Sequence, residues 1–195
     1  MCLTMDRRGE KKKEKENQRI SKFPLTPQVR KSQKLGGFIV SAKLGLTDEQ
    51  KKKLRKSKIS MSTIHTINPI DLAEILEITV EEAEQMVASA QFQRLPSIGP
   101  VLAENLVHLG FLHLNDVKGK SGSELTDLLE QHCGCWVDPC VEDQLRLVVH
   151  FAEKPHSNKK WWDFTEERKK YRKEHGYPAD RPKKPCNSLM KTKLI

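Results

Sequence analysis

The sequence predicts an all-α fold. Helix-start signals recur along it, and apolar residues return at three- and four-residue spacing. Nothing alternates with the period of two that marks a half-buried strand. Thr47 with Gln50 has the form of a capping box and starts a helix running to about Lys56. Asn68-Pro69 starts a second, because proline is pre-set for the first helical turn; Leu72, Ile75 and Leu76 share one face. Thr79 with Glu82 is another capping box. Behind it Ala83, Met86, Val87 and Ala90 form an amphipathic stripe. Pro100 opens a fourth helix carrying Leu102, Leu106 and Leu109, closed by Gly110. Ser121 to Ser123 lead into Leu125, Leu128 and Leu129. Asp138-Pro139 starts a longer helix with Val141, Leu145, Val148, Val149 and Ala152. Thr165 precedes Glu166 and Glu167, then Lys169 to Lys173, then Gly176, the order that the helix dipole and a C-cap favour.

The chain has 195 residues, 36% hydrophobic and 31% charged, a low apolar share for a core filling its whole length. Residues 1–60 hold 18 Lys/Arg and 6 acids, residues 61–153 hold 4 and 15, and residues 154–195 hold 13 and 5. An acidic middle therefore lies between two basic arms, and the whole carries +9. The expected organisation is a basic, largely disordered extension over 1–45 and a helical domain over 46–153. A basic aromatic helical arm over 154–182 and a flexible tail over 183–195 follow. The arms imply an anionic partner such as nucleic acid, or else they neutralise the acidic middle. No apolar stretch reaches the length of a membrane span, and no apolar run follows the basic N-terminus. Five cysteines without a secretory signal point to a reducing, cytoplasmic setting rather than a disulfide scaffold.

The middle contains an internal repeat. Ile59, Met61, Ile64, Leu72, Ile75 and Leu76 recur 53 residues later as Leu112, Leu114, Val117, Leu125, Leu128 and Leu129. Asp71 and Glu77 recur as Glu124 and Glu130. The register fails after Glu130, where the second copy inserts Gln131–Val137. Shared helical periodicity is the alternative account, but eight matches at one offset across 19 residues favour a true repeat.

The most informative segment is Leu95-Pro96-Ser97-Ile98-Gly99-Pro100-Val101-Leu102-Ala103-Glu104-Asn105-Leu106. Proline fixes the exit from the preceding helix, Gly99 allows a tight turn, Ile98 plugs the gap, and Ala103 allows close crossing. The following helix then offers free N–H groups to an anion. Leu95, Pro96, Ile98, Gly99, Ala103 and Leu106 resemble the helix-hairpin-helix motif, with Ser97 in place of its first glycine. Lys58–Met86 is similar to the corresponding unit in the C-terminal domain of the α-subunit of RNA polymerase. Leu46 to Pro182 resembles a bacterial family labelled pathogenicity-locus proteins, some of them called mitomycin-resistance proteins. The segments that carry this are LPSIG, DPCVEDQLR, VVHFA, KKWWDF and EERKKYRKEHGYPADRP. The resemblance implies that 46–153 is a tandem helix-hairpin-helix domain contacting DNA backbone, duplex or junction, without reading bases. The other reading of the motif is a hairpin that only packs two helices.

His132, Cys133, Cys135 and Cys140 concentrate metal-ligand types, but their spacing does not match zinc-finger or iron–sulfur patterns. The expectation is a connector with a buried Cys140 and incidental thiols, no metal and no cofactor. The arm holds five of the eleven aromatics, among them Trp161, Trp162 and Phe164, interleaved with lysines. That pattern suits stacking on single-stranded nucleic acid, or anchoring of a terminal helix. Residues 160–176 are expected to dock through Trp161 or Trp162 and Phe164, leaving a basic outer face. Asp116 lies near the place where glycosylases of this motif carry a catalytic aspartate, yet no active site is recognisable and no enzyme is expected. The expected function is non-enzymatic, sequence-independent DNA binding, in repair or drug-damage tolerance. Arg94, Ser97, Ile98, Gly99, Val101, Lys159, Lys160, Lys169 and Lys173 would make the contacts. The alternative is a protein-interaction adaptor using the acidic core.

Overall fold

Helices begin where short polar side chains meet the first free N–H groups. In the computed structural model, which describes residues 41–186, these are α1 (Asp48–Lys56), α2 (Pro69–Leu76), α3 (Val80–Phe92), α4 (Pro100–His108), α5 (Gly122–Cys133), α6 (Pro139–Glu153) and α7 (Thr165–His175). Thr47, Thr79 and Ser121 complete capping boxes with Gln50, Glu82 and Glu124. Asn68 and Asp138 accept from Ile70 and Cys140 N–H groups at 3.0 and 2.8 Å. No strand occurs among the described residues; one isolated bridge joins Trp136 and Pro185. The expectation of disorder over 1–45 falls mostly outside the described residues. Its last part is built into the fold: Ala42 is buried, and Lys43 exchanges two backbone hydrogen bonds with the Gln93 side chain.

The order helix, 3-10 turn, helix, helix occurs twice. It runs through α1, Ile64–Thr66, α2 and α3, and again through α4, Leu114–Val117, α5 and α6. Ile64, Leu72 and Leu76 are buried, as are their counterparts Val117, Leu125 and Leu129. Leu128 departs from the expected stripe and is 43% exposed. The first unit buries Leu54, Ile64, Leu72, Leu76, Ala83 and Val87 in one core. The second packs Phe92, Leu106, Leu125, Leu145, Val148 and Phe151 in another. Helix α3 supplies residues to both, so it is the spine between them. Each large side chain removed from water contributes roughly 1.5–3 kcal/mol.

The units differ on one helix face. Matching the first residues of α3 and α6 sets Glu142 and Arg146 where α3 has Ala83 and Val87, and all four are buried. The charged pair is possible because the chain beyond residue 153 folds back over it. A 3-10 turn, Trp161–Phe164, leads into α7, which lies against α6. Close crossing of α5 and α6 depends on Gly122, where a Cβ would sit 2.7 Å from the Arg146 backbone nitrogen.

The arm docks through Phe164, buried, and Trp161, half-buried, two of the rings expected to do so; Trp162 is exposed, and Arg168 and Arg172 also point inward. The helix expected over 160–176 is a 3-10 turn followed by α7, whose first residue, Thr165, donates its hydroxyl to Asp143 at 2.9 Å. The flexible tail expected from residue 183 is held at its start. Trp136 N–H donates to the Lys184 carbonyl, Cys186 N–H donates to the Trp136 carbonyl, and Cys135 and Cys186 form a disulfide. The cysteine count concealed this because the partners lie 51 residues apart.

Candidate nucleic-acid interface

Helix α3 ends at Phe92, and the chain turns through residues 93–99 before α4 begins. Leu95 N–H donates to the Phe92 carbonyl at 3.0 Å and Ile98 N–H to the Leu95 carbonyl at 3.2 Å. Leu95 and Ile98 plant their side chains in the second core, which makes the turn rigid. The sharp point of the turn is Ser97, at φ 65°. That left-handed backbone suits glycine, so serine adopts it at a cost of roughly 1–2 kcal/mol. Gly99 is extended, at φ −84° and ψ 172°, which any residue adopts. The tight-turn role expected of Gly99 therefore belongs to position 97.

What Gly99 supplies is bare surface. A Cβ there would meet nothing within 4 Å. Gly99 is the N-cap of α4 and gives it no side-chain cap. Pro100 has no N–H, and among the described residues no acceptor meets the N–H of Val101 or Leu102. Helices α1, α2, α3, α5 and α6 each close their first turn with a side chain. The start of α4 thus combines unsatisfied donors, the positive end of a helix dipole and an open approach.

The expected contact residues fall into three places. Arg94, Ser97, Gly99 and Val101 share the hairpin. Arg94 is half-buried, burial lowers its pKa from the ordinary guanidinium value, and no acid pairs with it among the described residues. Ile98 does not face outward: its side chain is buried and its N–H is used within the turn. Lys159 and Lys160 lie beside the 3-10 turn, with the Lys159 ammonium 4.8 Å from the Phe164 ring centroid. Lys169 and Lys173 stand one turn apart on the exposed side of α7, Lys169 paired with Glu166 at 2.8 Å. Helix α6 connects the groups. Gln144 donates to the Ser97 carbonyl at 3.2 Å, and the adjacent Asp143 takes Thr165 and Arg168 from α7.

An ion-pair network that the sequence did not disclose sets the electrostatics. Glu130, Glu142 and Asp143 are each 1% exposed. Arg181 grips Glu130 with two bonds of 2.6 and 2.7 Å, and Arg168 grips Asp143 with bonds of 2.8 and 3.2 Å. Arg172 donates to Glu142 at 2.8 Å and Asp127 at 2.9 Å, and Arg146 bridges Glu142 and Glu167. Burial opposes charge on Arg172, but the hydrogen bonds to Glu142 and Asp127 outweigh it and hold its pKa above the ordinary value. At Asp127 burial wins over the bond from Arg172, and the carboxyl is raised. Tyr177 lies between the guanidinium groups of Arg172 and Arg181, at 4.2 and 3.6 Å from its ring centroid. The basic arm therefore neutralises the deepest acids of the middle. The available signal was that Glu142 and Asp143 share α6 with Leu145 and Val148, and so turn partly toward a core.

Residues 84–170 match the family model described as Cdd1, pathogenicity locus. The match runs from within α3, through the hairpin and α4 to α6, into α7, and supports the pathogenicity-locus resemblance. No match appears among curated proteins or solved structures.

The remaining candidates are engaged otherwise. The Asp116 carboxylate accepts from the Leu112 and His113 N–H groups at 2.9 and 2.7 Å, so it shapes a turn. Cys135 is taken by its disulfide. Burial, then Asp138, pushes the Cys140 thiol up to about 11, and burial also raises Cys133. Both are poor thiolates at neutral pH. Among the described residues no three His, Cys, Asp or Glu side chains are arranged to hold a metal ion. No helix there is long and apolar enough to cross a membrane.

Proposed function

We propose that this chain is a non-enzymatic, sequence-independent DNA-binding protein whose helix-hairpin-helix, residues 93–103, holds a backbone phosphate. The observation that carries the reading is the uncapped, open start of α4, where the Val101 and Leu102 N–H groups lack acceptors beside a bare Gly99. Arg94 and the lysines at 159, 160, 169 and 173 would add salt-sensitive affinity. Pairing with Arg181, Arg172 and Arg168 offsets Glu130, Glu142 and Asp143, three of the fifteen acids of residues 61–153. A place in repair or drug-damage tolerance accords with the mitomycin-resistance label in the family it resembles.

Gly99→Glu tests the reading, because a Cβ at this position meets nothing within 4 Å and the extended backbone accepts any residue. Anisotropy with two unrelated duplexes, titrated between about 50 and 200 mM salt, should show steep salt dependence for the wild type. The variant should bind both duplexes equally poorly while melting at the wild-type temperature. Undiminished binding by Gly99→Glu would overturn the hairpin's role.

The adaptor reading rests on a different place. An open groove of about 250 Å³ is lined by Leu44, Ile78, Met86 and Val107, with Glu82 and Glu104 at its edge. Its carboxylates suit a basic peptide, and Glu104→Lys should abolish such binding while leaving duplex binding intact.

A further inference from the structure

We propose that Trp162 is a stacking platform for an unpaired base, so that the DNA this protein prefers carries a single-stranded extension beside its duplex. The proposal rests on the DNA-binding reading above and assigns a second contact to it. Tryptophan is highly buried on average, yet Trp162 is 55% exposed. Its exposure is not looseness. Phe164, two residues on, is buried in the second core, and the neighbouring Trp161 packs against that core. Trp161 meets Trp162 edge-to-face, with centroids 5.5 Å apart and planes at 79°. The backbone beneath is fixed by Lys160 N–H donating to Asp163 at 2.9 Å and Asp163 N–H donating to the Lys160 carbonyl at 3.1 Å. The ring thus presents apolar surface to solvent from an ordered turn, with Trp161 against one side.

The charges around the ring select a polyanion. Lys154, Lys159 and Lys160 have no ion pair among the described residues. The loop carrying them is folded on itself: Ser157 N–H donates to the Lys154 carbonyl, Lys159 N–H donates to the Ser157 hydroxyl, and that hydroxyl meets His150 at 2.8 Å. Three acids close by are occupied, Asp163 by the Lys160 N–H, Glu166 by Lys169 and Glu167 by Arg146. Glu153 and Asp163 are the neighbouring carboxylates without a cationic partner among the described residues, fewer than the three lysines. An apolar protein surface would gain nothing from three unpaired lysines, whereas a nucleotide strand brings phosphates to them and a π-face to the ring. The site is linked to the hairpin through one turn of α6, where Gln144 holds Ser97 and Asp143 holds Thr165, three residues beyond Trp162.

The experiment compares a blunt duplex, the same duplex with an oligo(dT) overhang of about ten nucleotides, and the overhang sequence alone. Anisotropy and intrinsic tryptophan fluorescence are read for wild type, Trp162→Ala, Trp162→Phe and Gly99→Glu. The wild type should favour the overhang by about tenfold, and oligo(dT) should quench its fluorescence. Trp162→Ala should abolish the preference while keeping the blunt-duplex affinity and melting temperature, and Trp162→Phe should keep most of the preference. Gly99→Glu should weaken blunt and overhang duplexes alike. Equal wild-type affinity for both duplexes, or a preference surviving in Trp162→Ala, would overturn the platform and leave the hairpin reading standing. Quenching by oligo(dT) that Trp162→Phe removes, without any blunt-duplex binding, would uphold the platform and overturn the hairpin reading.

Discussion

Arg172→Ala should cost this protein a large part of its stability. The Arg172 side chain is 7% exposed and donates to four oxygens, of Glu142, Asp127, Ser123 and Gly176, at 2.8, 2.9, 3.3 and 3.1 Å. Its removal leaves Glu142, itself 1% exposed, with Arg146 alone and leaves Tyr177 without one of its two guanidinium neighbours. Deleting one partner of a buried pair typically costs about 3–5 kcal/mol, because the other charge stays buried. Domains of this size have only roughly 5–15 kcal/mol in total, and each kcal/mol moves the midpoint by about 2–4 °C. The melting temperature, followed by far-ultraviolet circular dichroism, should therefore fall by roughly 6–20 °C. Raised salt should leave the difference in place, since buried pairs are weakly screened. Lys169→Ala, which breaks an exposed pair with Glu166, should leave the midpoint where it is. A midpoint for Arg172→Ala within about 2 °C of wild type would refute the idea that the arm completes the core.

Ser97→Gly should raise stability by about 1 kcal/mol, measured by urea denaturation, because it relieves a left-handed serine. Gly122→Ala should lower stability by roughly 1–3 kcal/mol or more in the same assay, since the new methyl meets backbone of α6 rather than a movable side-chain tip. Burial, and then the charge of Arg94, lowers the pKa of His65 from 6.5; burial, then Lys159 and Lys154, does the same at His150. The folded state thus prefers both rings neutral. As pH falls below 6.5 the unfolded chain takes up protons first, and stability drops until the folded-state values are reached. Denaturation midpoints on the two sides of 6.5 should show that fall, and replacing both histidines by glutamine should flatten it. Cys186→Ser opens a closure spanning 51 residues and should cost up to roughly 4 kcal/mol, a difference that disappears when both proteins are reduced.

What could be read in advance was local. Thr47, Asn68, Thr79, Ser121 and Asp138 act on N–H groups two or three residues away, so their capping is written in adjacent letters. The repeat was legible because Leu72 and Leu125 fill equivalent places in two similar units. Long-range pairing was not legible. Arg168 and Arg172 stand in the same lysine-rich run as Lys169 and Lys173, and nothing in that run says which cations turn inward. Their partners Asp143 and Glu142 are 25 and 30 residues away. A turn between α3 and α4 was visible, but the backbone angle that distinguishes Ser97 from Gly99 was not. Among the rings, composition could not tell the buried Phe164 from the exposed Trp162, because both follow from the pitch of a single 3-10 turn.

The fold-back of the arm also imposes a timetable on the newborn chain. Synthesis delivers the N-terminal part first. The core containing Leu54, Leu72 and Val87 draws its buried members from residues 42–90, so it has everything it needs once that stretch has left the ribosome. Helices α5 and α6 emerge next, bearing Glu130, Glu142 and Asp143 with Arg146 as their sole early companion among residues 122–153. Those carboxylates must stay hydrated until residues 168–181 appear with the guanidinium groups that receive them. The second half thus gains its last ion pairs only after residues 168–181 have been made. A chain stopped after Glu153 would keep every buried member of the second core except Phe164, but would leave Glu130 and Asp143 without their arginines.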